Sequence, residues 1–130
     1  MSKIRILLIS TVIIAISGCQ TKQESTQLKS AELQHLFSER TVESYNLING
    51  STSFTYYGKD GQVSQKRYWE NRKGKWRISD NMICLQMAHK SESCRAVYLE
   101  GDRYYKYRAD DQGQPQKIIR YRQFLTGNRI

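Results

Sequence analysis

The sequence predicts a mainly β fold: an antiparallel meander of about eight strands, curled into a small barrel or half-barrel, with one short N-terminal helix. Three observations carry this expectation. Turn signals such as Asn49-Gly50, Asp60-Gly61, Ser79-Asp80-Asn81 and Glu100-Gly101-Asp102 recur through the chain, at the spacing of roughly 10 residues that antiparallel sheets use. Between them lie runs that alternate with a period of two, clearest in Lys75-Trp76-Arg77-Ile78 and in Arg103-Tyr104-Tyr105-Lys106-Tyr107-Arg108. Only Leu33, Leu36 and Phe37 show the i, i+3, i+4 spacing of a helical stripe, which disfavours an alternation of helices and strands.

Ahead of the domain, Met1-Ser2-Lys3-Ile4-Arg5 is basic, Ile6 to Ile16 is apolar apart from Ser10 and Thr11, and Ser17-Gly18-Cys19 follows. That order is that of a secretory signal peptide, and the apolar run falls short of the ~20 residues a spanning helix needs. Ile16-Ser17-Gly18-Cys19 resembles the bacterial lipobox, in which a branched apolar residue and two small ones precede a cysteine. The resemblance implies thioether lipidation of Cys19, cleavage before it, and N-acylation of the new terminus, typically with palmitate. Gln20 stands where enteric lipoproteins kept at the inner membrane carry aspartate, so the implied address is the outer membrane, facing the periplasm. The alternative is an ordinary signal peptide with an incidental cysteine.

The expected organisation is a signal peptide over residues 1–18, a lipidated cysteine and flexible tether over 19–29, and a single β-rich domain over 30–130. The tether reading rests on Gln20 to Lys29, which is polar and lacks a sustained apolar period. A domain of this size buries about two-thirds of its unfolded surface, enough for a real core. The chain has 21 Lys and Arg against 12 Asp and Glu; without Lys3 and Arg5 the balance is 19 to 12, or +7. Such a charge near a membrane suits anionic head groups, lipopolysaccharide phosphates, acidic wall polymers or an acidic protein. Export argues against nucleic acid as the ligand.

There are three cysteines. Giving Cys19 to lipid leaves Cys84 and Cys94 as a pair, for which an oxidising compartment favours a disulfide. A metal site is the rival reading, but these two cysteines and His89 fall short of the four ligands zinc takes.

Element by element, Ser30 is a candidate N-cap for a helix over Ser30 to Glu39, with Glu32 in the first turn, where the helix dipole favours a carboxylate. Strands are expected over Thr41–Ile48, Ser53–Tyr57, Gln62–Trp69, Lys75–Ile78, Met82–Met87, Cys94–Leu99, Arg103–Arg108 and Gln116–Leu125. A turn is expected at Asn71-Arg72-Lys73-Gly74, and a hairpin centred on His89 sets Cys84 opposite Cys94.

The stretch from Leu28 to Leu99 resembles a group of small exported proteobacterial proteins with domains of unknown function. The residues that carry the resemblance are Ser30-Ala31-Glu32-Leu33, Phe54-Thr55-Tyr56, Asp60-Gly61, Gly74-Lys75-Trp76, Cys84 and Cys94. It implies a β-rich fold and brings no catalytic residues. Arg40 departs from the pattern, which has a small turn residue after the helix.

Enzymatic constellations are thin. The two histidines are His35, off the helix stripe, and His89, at a hairpin tip; no motif joins either to a nucleophile. Asp60, Asp80, Asp102, Asp110 and Asp111 all fall in turn-like stretches, where aspartate bonds its own backbone. The expectation is therefore no enzyme, no cofactor and no metal. The strongest hint of binding is the C-terminal half. If its last two strands pair in simple register, Lys106, Arg108, Arg120 and Arg122 share one face that could grip phosphates or carboxylates. The bland alternative is a solvated outer face. Lipopolysaccharide, peptidoglycan or an envelope protein are the expected partners. A second reading is an inhibitor-type module acting on a lysozyme-like wall hydrolase, with Lys90 or Arg72 on a hairpin tip entering the enzyme's acidic cleft.

Overall fold

The computed structural model describes Gly18 and residues 24–130. The expected signal peptide up to residue 17, the expected lipidation site Cys19 and the first part of the expected tether, to residue 23, lie outside these residues. Among the described residues, no helix is long and apolar enough to cross a membrane.

The fold is mainly antiparallel β with one short helix. In chain order the elements are β1 (Ser25–Gln27), α1 (Ser30–Phe37), β2 (Arg40–Asn46), β3 (Thr52–Tyr57), β4 (Gln62–Arg67), β5 (Glu70–Ser79), β6 (Met82–Met87), β7 (Ser93–Arg95), β8 (Val97–Glu100), β9 (Arg103–Ala109) and β10 (Pro115–Thr126). The strands form a single sheet in the order β1-β8-β9-β10-β2-β3-β4-β5-β6-β7. This is ten strands rather than eight, for two reasons. Ser25–Gln27, expected to be part of a tether, pairs with β8, and the adjacent Leu28 is buried. The helix consequently follows a strand and does not open the domain. The expected strand Cys94–Leu99 also divides at Ala96. Before it Arg95 pairs with Ile83 of β6, and after it Val97 pairs with Lys106 of β9. One residue thus links strands near opposite ends of the order, so the sheet curls to bring those ends together. Its hydrogen-bonded order is not closed into a ring.

The inward face holds the core. Registers place Val42 against Thr55, Tyr57 against Val63, Val63 against Gly74 and Trp76 against Leu85. Helix α1 covers one end of this face through Leu33 and Phe37, both fully buried. The Phe37 ring meets Tyr57, Tyr121 and Phe124 edge-on, with centroids 5.1, 5.2 and 5.5 Å away, within the range where such pairs add to simple burial. The indole N–H of Trp76 donates to the Gly58 carbonyl at 2.8 Å, so burying this ring leaves no orphan donor.

The helix begins where expected but is capped differently. Lys29 is its N-cap, and the Ser30 N–H and Oγ reach Asn81 Oδ1 at 2.8 and 3.1 Å. Asn81 sits in the β5–β6 turn, so this hairpin docks on the helix start. The helix ends at Phe37, earlier than expected, because Glu39 takes a φ of 59°. Arg40 then needs no turn conformation: it is the first residue of β2, opposite Tyr57.

Cys84 and Cys94 are joined by a disulfide and sit directly opposite one another in β6 and β7, with Cα atoms 4.0 Å apart. In the chain-entropy picture, closing this short loop contributes ~3 kcal/mol through the unfolded state. Around it Glu92 lies 3.8 Å from Cys94 Sγ and is bound by Arg77 at 2.6 Å. Cys84, Cys94 and Glu92 cluster as potential ligands, but the bridge takes up both sulfurs.

One expected turn is absent. Asn71-Arg72-Lys73-Gly74 lies inside β5, and the β4–β5 hairpin closes instead at Tyr68-Trp69. Gly74 is the reason local chemistry misled. It stands where a Cβ would come within 2.4 Å of the Gln86 carbonyl oxygen, so this glycine serves close strand packing rather than a turn. Arg72 accordingly pairs with Gln65 in mid-strand and is not on a hairpin tip.

Candidate anion-binding site

The two C-terminal strands pair as expected but not in simple register. Lys117 lies opposite Tyr107, and then Ile119, not Ile118, lies opposite Lys106. Ile118 is an extra residue, a β-bulge, and a one-residue shift turns every later side chain to the other face. Arg120 therefore falls opposite Tyr105 while Lys106 stands with Ile119. The expected four-cation face is split: Lys106 and Arg108 lie on the inward side, Arg120 and Arg122 on the outward side.

Two of the outward cations, Arg122 and Lys117, are compensated within the protein. Arg122 lies 4.2 Å from the Tyr45 ring centroid and 3.6 Å from a Glu43 oxygen. Lys117, next to them in the same strand, pairs with Glu100 and stands 4.3 Å over Tyr105. Glu100 also accepts from the Tyr107 hydroxyl and from Ser25 at 3.2 Å. Burial acts to raise its pKa, but the bonds from Lys117 and Tyr107 outweigh that and leave it below the usual carboxylate range.

The inward cations differ. Arg95, opposite the buried Ile83, shares the inward face with Lys106, which lies opposite the buried Val97. Arg67 joins them, since its partner Ser53 pairs in turn with Ser44 and Ser44 with Tyr121. Arg67, Ser53, Ser44 and Tyr121 thus form one row across four strands. Among the described residues, Arg67, Arg95, Lys106 and Arg108 make no salt bridge. Among the described residues, two buried side-chain polar atoms lack a hydrogen-bond partner, Arg67 Nε and the Tyr121 hydroxyl, and both stand in this row. Tyr121 is 4% exposed. The Lys106 ammonium lies 6.0 Å from the Tyr121 ring centroid.

Electrostatics follow the geometry. Burial, with the positive charge of Arg95 as a second cause, lowers Lys106 from 10.5 to about 8. Burial, aided by Tyr57, holds Tyr121 well above the ordinary phenol value, so its hydroxyl keeps its proton and can donate. Where the face opens, a cavity of about 600 Å³ is lined by Ile48, Arg95, Arg108, Asp110, Asp111 and Gln116, among others. Asp110 is engaged locally, accepting from the Gln112 and Gln114 N–H groups at 2.9 and 2.8 Å. The opening presents the guanidinium donors of Arg95 and Arg108, groups that bind phosphate or carboxylate, beside the carboxylates of Asp110 and Asp111.

Sequence reasoning found Lys106 and Arg108 but missed Arg67, Arg95 and Tyr121. Val63, Gln65 and Arg67 do alternate in the sequence, so Arg67 could have been placed on the core face. Arg95 could not, because the change of partner at Ala96 leaves no local sign. His35 and His89 are both exposed, and Asp60 bonds the backbone N–H of Gln62 at 3.1 Å, as turn aspartates do. No family model matches the chain, and no curated protein or solved structure is significantly similar to it.

Proposed function

We propose that this chain is a non-enzymatic, outer-membrane-anchored periplasmic lipoprotein. Its curled β domain, a half-barrel in outline, binds an anionic envelope component at the open end of the inward face. The lipobox-like Ile16-Ser17-Gly18-Cys19 supports the anchor, and the disulfide fits an oxidising compartment. One observation carries the binding reading: among the described residues, Arg67, Arg95, Lys106 and Arg108 on the inward side meet no carboxylate and Arg67 Nε and the Tyr121 hydroxyl have no partner, while Arg122 and Lys117 outside already face Glu43 and Glu100. Buried donors without acceptors cost a folded protein about 1–3 kcal/mol each, a cost that an anionic ligand would remove. Phosphate and carboxylate share the needed chemistry, so the ligand class is a phosphorylated lipopolysaccharide or an acidic peptidoglycan fragment.

The test is calorimetric titration of the protein, at neutral pH and fixed salt, with purified lipopolysaccharide and with peptidoglycan fragments. The double substitution Arg95→Gln, Lys106→Met is expected to weaken binding at least tenfold, since hydrogen bonds to charged groups contribute about 1.5–3 kcal/mol. Arg120→Gln with Arg122→Gln is expected to leave binding nearly unchanged. Equal losses from both pairs, or no binding to either ligand, would overturn the reading. The anchor is tested separately: Cys19→Ser should abolish fatty-acid labelling and release the protein from membranes, and unchanged retention would refute it.

A further inference from the structure

The β4–β5 hairpin ends in two residues that local turn chemistry does not favour. A two-residue hairpin with positive φ is usually built from Asn, Asp or Gly. Here Tyr68 takes a φ of 56°, an outlier for a bulky side chain. Tyr68 is 60% exposed and Trp69 89%, so neither ring repays the strained turn by packing in the core. Strain held in place with no structural return points to a functional use. The flanking charges are one-sided: over residues 66–75, Lys66, Arg67, Arg72, Lys73 and Lys75 stand against Glu70 alone, a net +4.

The exposed aromatic surface continues beyond the tip. Phe54, Tyr68 and Ile130 border a groove of about 610 Å³, and its charged lining residues, Lys66 and Arg129, are both cations. Phe54 and Ile130 are themselves exposed. A convex aromatic peg set among cations, beside an apolar groove without an acidic lining residue, complements a surface that is apolar below and negative above.

The geometry points to a membrane-docking site: the Tyr68-Trp69 tip inserts at the head-group level of an anionic bilayer, and Lys66, Lys73 and Arg129 meet its phosphates. Tryptophan and tyrosine favour this depth because their rings are apolar with one polar end, and basic residues near the surface strengthen binding to anionic lipid. The site is independent of the inward anion-binding face and of acylation at Cys19. It would hold the domain against the lipid surface, where a tether alone would let it tumble.

The two tryptophans make the site testable by fluorescence, because Trp76 is buried and Trp69 is not. The mature chain, from residue 19 to 130 and carrying Cys19→Ser, is mixed with vesicles of phosphatidylglycerol or of phosphatidylcholine, with and without brominated acyl chains. Expected are a blue shift and bromine quenching with phosphatidylglycerol alone, both lost in Trp69→Phe. Trp69→Ala should weaken vesicle binding about tenfold relative to the same Cys19→Ser parent, as befits the loss of one buried aromatic ring. Lys66→Gln with Lys73→Gln should reduce both the affinity and its salt dependence. An unshifted, unquenched Trp69 at saturating phosphatidylglycerol overturns the proposal, as does equal binding of the Trp69→Ala protein. Trp69-dependent binding to immobilised lysozyme without vesicle binding would also overturn it, in favour of an acidic protein cleft.

Discussion

The inward face has two ends with opposite chemistry. At the helix-covered end Leu33, Phe37, Val42, Tyr57 and Trp76 are buried together, and every residue is there because water is excluded. Toward the open end Arg67, Arg95 and Lys106 are held on the inward side of β4, β7 and β9, without a carboxylate partner among the described residues, and Arg67 Nε meets no acceptor there. One end supplies the stability and the other draws on it. This division is common where a site needs groups that a core would reject. It means that deletions of side chains at the two ends should shift stability in opposite directions.

The largest effect is expected at the apolar end. Phe37 is fully buried and touches three aromatic rings, so Phe37→Ala should cost about 3–5 kcal/mol. Chemical denaturation measures this, and the folded fraction should still bind the anionic ligand. A cost below about 1 kcal/mol would mean that the helix is not fastened to the sheet through this ring.

The opposite sign is expected at Lys106. Its folded pKa of about 8 lies below the ordinary 10.5, so between these values the unfolded chain binds more protons, and stability rises with pH. The penalty is complete below about pH 8 and is relieved as pH climbs. Arg95 is the charge that deepens it. The buried phenols Tyr57 and Tyr121 oppose this trend only above about pH 10, because their folded values lie above the unfolded one. Lys106→Met should therefore stabilise the protein at pH 7 by about 1–3 kcal/mol and flatten the rise between pH 8 and 10. In the parent, anion affinity should fall as pH passes 8. A destabilised Lys106→Met protein, or a flat parent profile, would show that this lysine is not held at a cost.

The two ends also differ in how far they could be read from the sequence. The helix stripe, the turns at Asn49-Gly50, Asp60-Gly61 and Gly101-Asp102, the Cys84–Cys94 pairing and most strands were legible, because each is written in neighbouring residues. The site was only half legible. Lys106 and Arg108 could be found from alternation, but their partners depend on a bulge at Ile118 and on a change of strand at Ala96. Neither leaves a local mark, since a bulge is set by what the facing strand requires. The Tyr68-Trp69 turn was hidden for a different reason. Gly74, six residues beyond Tyr68, carries the stronger turn signal but is needed for close packing against β6.

The smallest effect is expected on the outward face, and it is the one that isolates the comparison. Arg122 is exposed, and its contacts with Glu43 and Tyr45 lie at the protein surface. Surface pairs of this kind contribute about 0–1 kcal/mol and are weakened by salt. Arg122→Gln should change stability by less than about 1 kcal/mol and leave ligand affinity nearly unchanged. The same change at Arg95 should barely alter stability or raise it, yet weaken ligand binding sharply. Measuring both variants at low and high salt separates a charge that is solvated and matched from one that is held inward for a ligand. If Arg122→Gln loses as much affinity as Arg95→Gln, binding belongs to the overall positive field of the domain rather than to the open end of its inward face.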